Sequence, residues 1–177
     1  MNKIMKKSIF ARVMMLAMMA AMCVTFTACG GDDSDSTPGK PEEPGAGGTT
    51  AYVEPCLDFG SSVEHVKEYM AGTAFQLIDG NNIALMYANS DATVAISYTF
   101  TSGLRIAQVT YNGYSESQAN AFKAEIEKRY GVTMTKEVNP DDVSQWVYRG
   151  TTTINSMKVA IMMMAYKGVV SIMYSLD

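Results

Sequence analysis

Val94-Ala95-Ile96-Ser97-Tyr98-Thr99-Phe100, followed by Thr101-Ser102-Gly103 and Leu104, is the stretch that decides the fold. Val94, Ile96, Tyr98 and Phe100 alternate with Ala95, Ser97 and Thr99, so an extended chain has one apolar face and one small, wettable face. A period of two is the pattern of an antiparallel strand covered on one side only. Thr101-Ser102-Gly103 turns this strand into a second one, Leu104 to Tyr111. Upstream, Phe75 to Ile78 and Ile83 to Tyr87 flank Asp79-Gly80-Asn81-Asn82, a hairpin signal. These runs predict a four-stranded antiparallel meander.

A helix is predicted just before the meander. Ser61-Ser62-Val63-Glu64 has the spacing of a capping box, Val63, Val66 and Met70 supply an apolar stripe, and Gly72 ends it. His65 falls on the polar side, which predicts a solvent-facing, inert histidine. The same grammar then restarts. Ser115-Glu116-Ser117-Gln118 is a second capping box, Ala119, Phe122, Ile126 and Tyr130 form the stripe, and Gly131 closes the helix. An irregular stretch is expected from Gly131 to Gln145, with Asn139-Pro140-Asp141-Asp142 as turn chemistry. Strands are expected at Gln145 to Arg149, Met157 to Tyr166 and Val169 to Leu176, the last two joined at Lys167-Gly168. Shifted by 65 residues, Val94-Ala95-Ile96 and Gly103 fall on Val159-Ala160-Ile161 and Gly168. The expected fold class is therefore α+β: two consecutive units of one helix followed by antiparallel strands, about 57–112 and 113–177, packed as one compact domain.

This layout resembles the β-lactamase-inhibitor-protein-like superfamily, which also includes PepSY-like domains and the small lipoprotein of the outer-membrane barrel-assembly machinery. Phe59-Gly60-Ser61-Ser62-Val63-Glu64-His65-Val66 carries the resemblance, together with strands ending in Tyr98-Thr99-Phe100 and Leu104. It implies a tandem helix-plus-meander fold, and its second half departs more from the pattern than its first.

The chain begins differently. Lys3, Lys6, Lys7 and Arg12 precede an uncharged run from Val13 to Val24, too short to span a bilayer comfortably and suited to a secretory leader over 1–28. Phe26-Thr27-Ala28-Cys29 resembles the lipobox of bacterial lipoproteins, with Phe26 where Leu is usual. The resemblance implies cleavage before Cys29 and lipid on its thiol, and several acyl chains make such anchoring stable. Asp32-Asp33-Ser34-Asp35 resembles the export signal that sends lipoproteins of the Bacteroides group to the cell surface; an acidic linker that stays extended by self-repulsion is the other reading. Either way the expected location is the outer membrane, by a lipid anchor. Residues 29–50 are rich in Gly, Pro, Ser, Thr and acids and are expected to be a disordered tether, with the globular domain over 51–177.

Charge and composition exclude whole function classes. The chain has 14 basic residues; without the four in the leader, 10 remain against 18 acids, a net charge of −8. No basic run follows Arg12, so phosphate neutralisation has no footprint and nucleic acid is not an expected partner. Dinucleotide, P-loop, zincin and C-x-x-C motifs are absent from the sequence. One His and one remaining thiol, Cys56, fall short of a zinc site of the usual composition, so no cofactor or metal is expected. Aromatic residues are the remaining lead. Trp146 and Tyr148 share a strand face, and Tyr111 and Tyr114 flank the turn between units, which makes these four the candidate partner contacts. Packing of Trp146 in the core is the competing reading. The function expected is a monomeric, non-catalytic binding module for a protein or peptide, with an envelope assembly lipoprotein and a glycan or peptidoglycan hydrolase as alternatives.

Overall fold

The computed structural model of the 177-residue chain describes residues 51–139 and 142–177. The expected leader, the Cys29 anchor, the tether and the Pro140-Asp141 part of the predicted turn lie outside the described residues. Among the described residues the fold is α+β: one eight-stranded antiparallel sheet and two helices, α1 (Val63–Ala71) and α2 (Glu116–Tyr130). The strands are β1 (Gln76–Gly80), β2 (Ala84–Ala88), β3 (Val94–Phe100), β4 (Leu104–Asn112), β5 (Thr135–Asn139), β6 (Asp142–Ile154), β7 (Met157–Tyr166) and β8 (Val169–Leu176). Their order across the sheet is β1-β2-β3-β4-β8-β7-β6-β5. Two meanders thus meet along β4 and β8, whose ladder runs from Ile106↔Ser175 to Asn112↔Val169.

The second meander corrects one expectation. The stretch between Gly131 and Gln145 is irregular only in part among the described residues: residues 132–134 belong to no element, but Thr135–Asn139 forms edge strand β5, and β6 starts at Asp142 and continues well past Arg149 to Ile154. Only Val138 is apolar in β5 and nearly all its residues are exposed, so no hydrophobic alternation marks it. Its ladder to β6 supplies what the pattern lacks. Gly150 sits inside β6 because Val132 and Met134 cross over it, and an added Cβ would lie 2.5 Å from Val132 Cγ2.

Both helices pack on one face of the sheet. Cross-strand register puts Ile96, Tyr98, Val109, Tyr111, Ile172, Tyr174, Ile161 and Met163 on that face, and all are at most 1% exposed. From α1, Met70 Sδ lies 3.1 Å from Tyr98 Oη; from α2, Phe122 stacks on Tyr111 with centroids 4.4 Å apart. Met163 joins Val159 and Ile161 in the core.

The segment ahead of α1 crosses three neighbouring strands on the same face. Tyr174 of β8 bonds Tyr52 (Oη to Oη, 2.6 Å), Tyr111 of β4 accepts from Val53 N–H (2.8 Å), and Tyr98 of β3 accepts from Cys56 N–H (3.0 Å). Backbone donors that enter a core without a partner cost about 1–3 kcal/mol each, and these hydroxyls remove that cost. Burial pushes the phenols of Tyr98, Tyr111 and Tyr174 above their ordinary range, so they stay neutral. Glu54 in the same segment pairs with Arg129 and accepts from Tyr130 Oη at 2.6 Å, tying it to α2.

Entry into each helix is built alike. Gly60 and Gly113, at φ +83° and +78°, each stand two residues before an N-cap serine, Ser62 and Ser115. The β3–β4 turn, Ser102-Gly103, and the β7–β8 turn, Lys167-Gly168, both place two successive residues at positive φ. Such turns match the twist of the strands they join.

Candidate functional site

The face opposite the helices is built by the residues that alternate with the core. Register places Ala95, Ser97, Gln108, Thr110, Ser171, Met173, Met162 and Met164 together in its middle. None is charged. A solvated sheet face ordinarily carries charges, and here they stand around the patch: Arg149, opposite Met162 and 3.4 Å from Glu137, on the β5 side, and Lys158 paired with Asp177 at the far end of β7. Gln108 Nε2 donates to Ser171 Oγ at 2.9 Å, which orders the polar part of the patch across β4 and β8. Gln108, Thr110 and Ser171 are only 8%, 5% and 4% exposed, so neighbouring side chains already shield the polar centre. Methionines around it give an adaptable apolar surface.

The four aromatics read from the sequence are placed as two separate pairs. Trp146 and Tyr148 meet at 5.0 Å in a T-shaped contact on the helix face, roofed by Lys136 over Trp146 at 5.0 Å and Lys123 over Tyr148 at 5.3 Å. Trp146 is buried and Tyr148 half-buried. Tyr111 and Tyr114 lie 5.2 Å apart and both touch Phe122. Tyr111 is wholly buried and Tyr114 is buried with its hydroxyl lacking a hydrogen-bond partner among the described residues. In this fold Tyr111 offers no surface to a partner, because its ring fills the space under α2 and its hydroxyl holds Val53.

A second cluster lies at the start of α1. Cys56 Sγ, a carboxylate oxygen of Asp58 and a ring nitrogen of His65 are all within 4.8 Å of one another. Ser62 caps the helix through His65 N–H at 3.2 Å, so His65 is its third residue and the ring reaches back toward the preceding segment. His65 Nε2 sits 2.8 Å from Asp58 Oδ2, while Asp58 Oδ1 accepts from Asn155 Nδ2 at 3.1 Å across the β6–β7 turn. His65 is therefore exposed, as expected, but not without partners. Cys56 is buried, and burial pushes its thiol pKa up against a hydrogen bond from the Asp58 N–H. A protonated, enclosed thiol is a poor nucleophile. Sulfur, oxygen and nitrogen converging on one point are instead a donor set for a soft divalent cation. Reading His65 against the thiol alone hid this cluster; the signal in the sequence was Cys56-x-Asp58 ahead of a cap that fixes His65 on the first turn.

An open groove of about 850 Å³ runs beside the same helix start, between Ser62–Glu64, Asn82–Ala84 and the turn at Thr99–Gly103. Its exposed apolar member is Ile83. No family model matches the chain, and neither a curated protein nor a solved structure matches it.

Proposed function

We propose that this chain is a secreted, lipid-anchored module of the outer membrane that binds a protein or peptide, without catalysis, on the sheet face opposite its helices, the uncovered face, over which no described element lies. The observation that carries this reading is the uncharged middle of that face, with Met162, Met164 and Met173 around Gln108 and Ser171. Depletion of charge at the centre with methionine present is the composition of an interface core, and a soluble surface lacks it. Cys29 is the anchor in this reading, residues 29–50 the tether, and residues 51–177 the monomeric domain that the tether presents to a partner.

The same reading takes the domain as two worn copies of one helix-plus-four-strand unit. The paired entry glycines and caps support it, as do the paired turns Ser102-Gly103 and Lys167-Gly168, which fall 65 residues apart. Under that shift Gln108 corresponds to Met173, and the two are directly opposite in the β4–β8 ladder. A local two-fold axis through this pair would pass through the middle of the proposed interface. The superfamily resemblance drawn from the sequence belongs to this proposal.

Single charges on the uncovered face test the binding role. Ser97→Lys and Met162→Lys are expected to abolish co-purification with an envelope partner while leaving the unfolding midpoint nearly unchanged. Retention of the same partner by both variants would move the interface elsewhere. For the anchor, Cys29→Ser is expected to release the protein from membranes and to remove incorporated fatty acid.

A further inference from the structure

We propose that Cys56, Asp58 and His65 form a binding site for a thiophilic divalent cation, with Zn²⁺ the ion whose chemistry fits the donors. This inference does not depend on the interaction reading, because the cluster lies on the helix side of the sheet.

The donors number three and differ in kind: a thiol sulfur, a carboxylate oxygen and an imidazole nitrogen. With the thiol deprotonated they bring two negative charges, which balance a divalent ion. Tetrahedral zinc with bonds of about 2.0–2.3 Å requires its ligand atoms to stand roughly 3.3–3.8 Å apart. The His65–Asp58 contact is shorter than that, at 2.8 Å, and the outer limit for the cluster is 4.8 Å, so the required spacing lies between. Side-chain rotation suffices to reach it. His65 and Asp58 have side chains about half exposed, at 49% and 52%, so a small rotation that keeps the Asn155–Asp58 bond can open their 2.8 Å contact, while Cys56 is held by its backbone bond to Tyr98.

Two further contacts fit a ligand role. Asn155 occupies Oδ1 of Asp58, which leaves Oδ2 to face the other donors, the kind of outer-shell bond that orients a ligating carboxylate. The Asp58 backbone N–H is bonded to the Cys56 sulfur, which stabilises negative charge there once a metal replaces the proton. On binding, the thiol proton passes to solvent as the metal–sulfur bond forms, and the imidazole lone pair enters coordination with no change in oxidation state. The fourth tetrahedral position stays open to water or to a side chain of a partner. Through Asn155 the ion would join the start of α1 to the β6–β7 turn, linking the two halves of the chain.

Cobalt reports on such a site directly, since thiolate ligation gives a near-ultraviolet charge-transfer band and tetrahedral geometry gives intense visible bands. The test uses the full chain in detergent, tag-free and chelator-stripped, with Cys23→Ser and Cys29→Ser so that Cys56 is the only thiol. Co²⁺ is expected to produce both signals at one equivalent, Zn²⁺ to bleach them, and Zn²⁺ to raise the melting midpoint. Cys56→Ser is expected to remove the charge-transfer band, and His65→Gln to weaken Zn²⁺ binding more than about 100-fold, beyond the effect usual for an outer-shell residue such as Asn155. Absence of the charge-transfer band in the parent chain overturns the proposal whatever the variants do. Equal Zn²⁺ affinity in the parent and in His65→Gln overturns it as well.

Discussion

In the half built by α1 and β1–β4, the turn glycine Gly103 is pressed against the backbone of Gly60; a Cβ there would lie 2.4 Å from the Gly60 oxygen. In the half built by α2 and β5–β8, the corresponding glycine, Gly168, would place a Cβ 4.0 Å from the Tyr114 oxygen, an ordinary contact. Two hydrogen bonds close the first junction, Gly60 N–H to Leu104 O and Leu104 N–H to Ser61 O, against one at the second, Tyr114 N–H to Gly168 O. The helices differ in the opposite sense. α1 has nine residues and a simple serine cap, whereas α2 has 15, a complete capping box and a left-handed Gly131 at its end. The first half is thus held by close backbone packing at its turn, and the second by a self-sufficient helix and large side chains beneath it.

Trp146 should show the largest effect, because it anchors β6 in the core of the second half. Trp146→Ala is expected to cost about 3–5 kcal/mol, as for other buried aromatics. Urea unfolding measures it, and a midpoint within error of the parent would show that the second half does not depend on this side chain.

The turn glycines sharpen the comparison at intermediate magnitude. Gly103→Ala combines positive φ with a backbone clash and is expected to cost about 3 kcal/mol or more. Gly168→Ala adds a Cβ at positive φ in open space and is expected to cost about 1 kcal/mol. Equal losses in paired denaturation curves would erase the distinction drawn between the two junctions.

The caps give the smallest effects and reverse the order of the halves. Ser115→Ala removes the oxygen that accepts from Gln118 N–H and leaves the reciprocal bond, from Ser115 N–H to Gln118 Oε1, unsupported, for about 1 kcal/mol. Ser62→Ala loses one cap bond, to His65 N–H, and is expected to cost less, about 0.5 kcal/mol. A larger loss at Ser62 would point to a role for the α1 start beyond helix capping.

Much of this architecture was legible in residues whose local chemistry leaves few choices. Val94 to Phe100 could only alternate, and Ser115 with Gln118 formed the box read from the sequence, whereas the first cap is Ser62, which accepts from His65 N–H, and the Ser61–Glu64 box does not form. β5 was illegible because a strand exposed on both faces has no hydrophobic period to read. The far end of β6 was hidden by Gly150-Thr151-Thr152-Thr153, whose strand state is set by the ladder to β7. The uncovered face was half visible, since the small residues of β3 were read as wettable, but their alignment with Met162 and Met173 depends on β4–β8 pairing across 60 residues or more. Cys56, Asp58 and His65 escaped because chain reversal at Gly60, rather than periodic spacing, brings them together.

The central claim is that the uncovered face of the sheet meets the partner. Photo-crosslinking in intact cells tests it most directly, with a photoreactive residue placed in turn at Ser97, Met162 and Met173 on that face and at Lys128 on α2. The expected result is one common crosslinked partner from the three sheet positions and none from Lys128. Crosslinks from Lys128 alone, with the three sheet positions silent, would contradict the account.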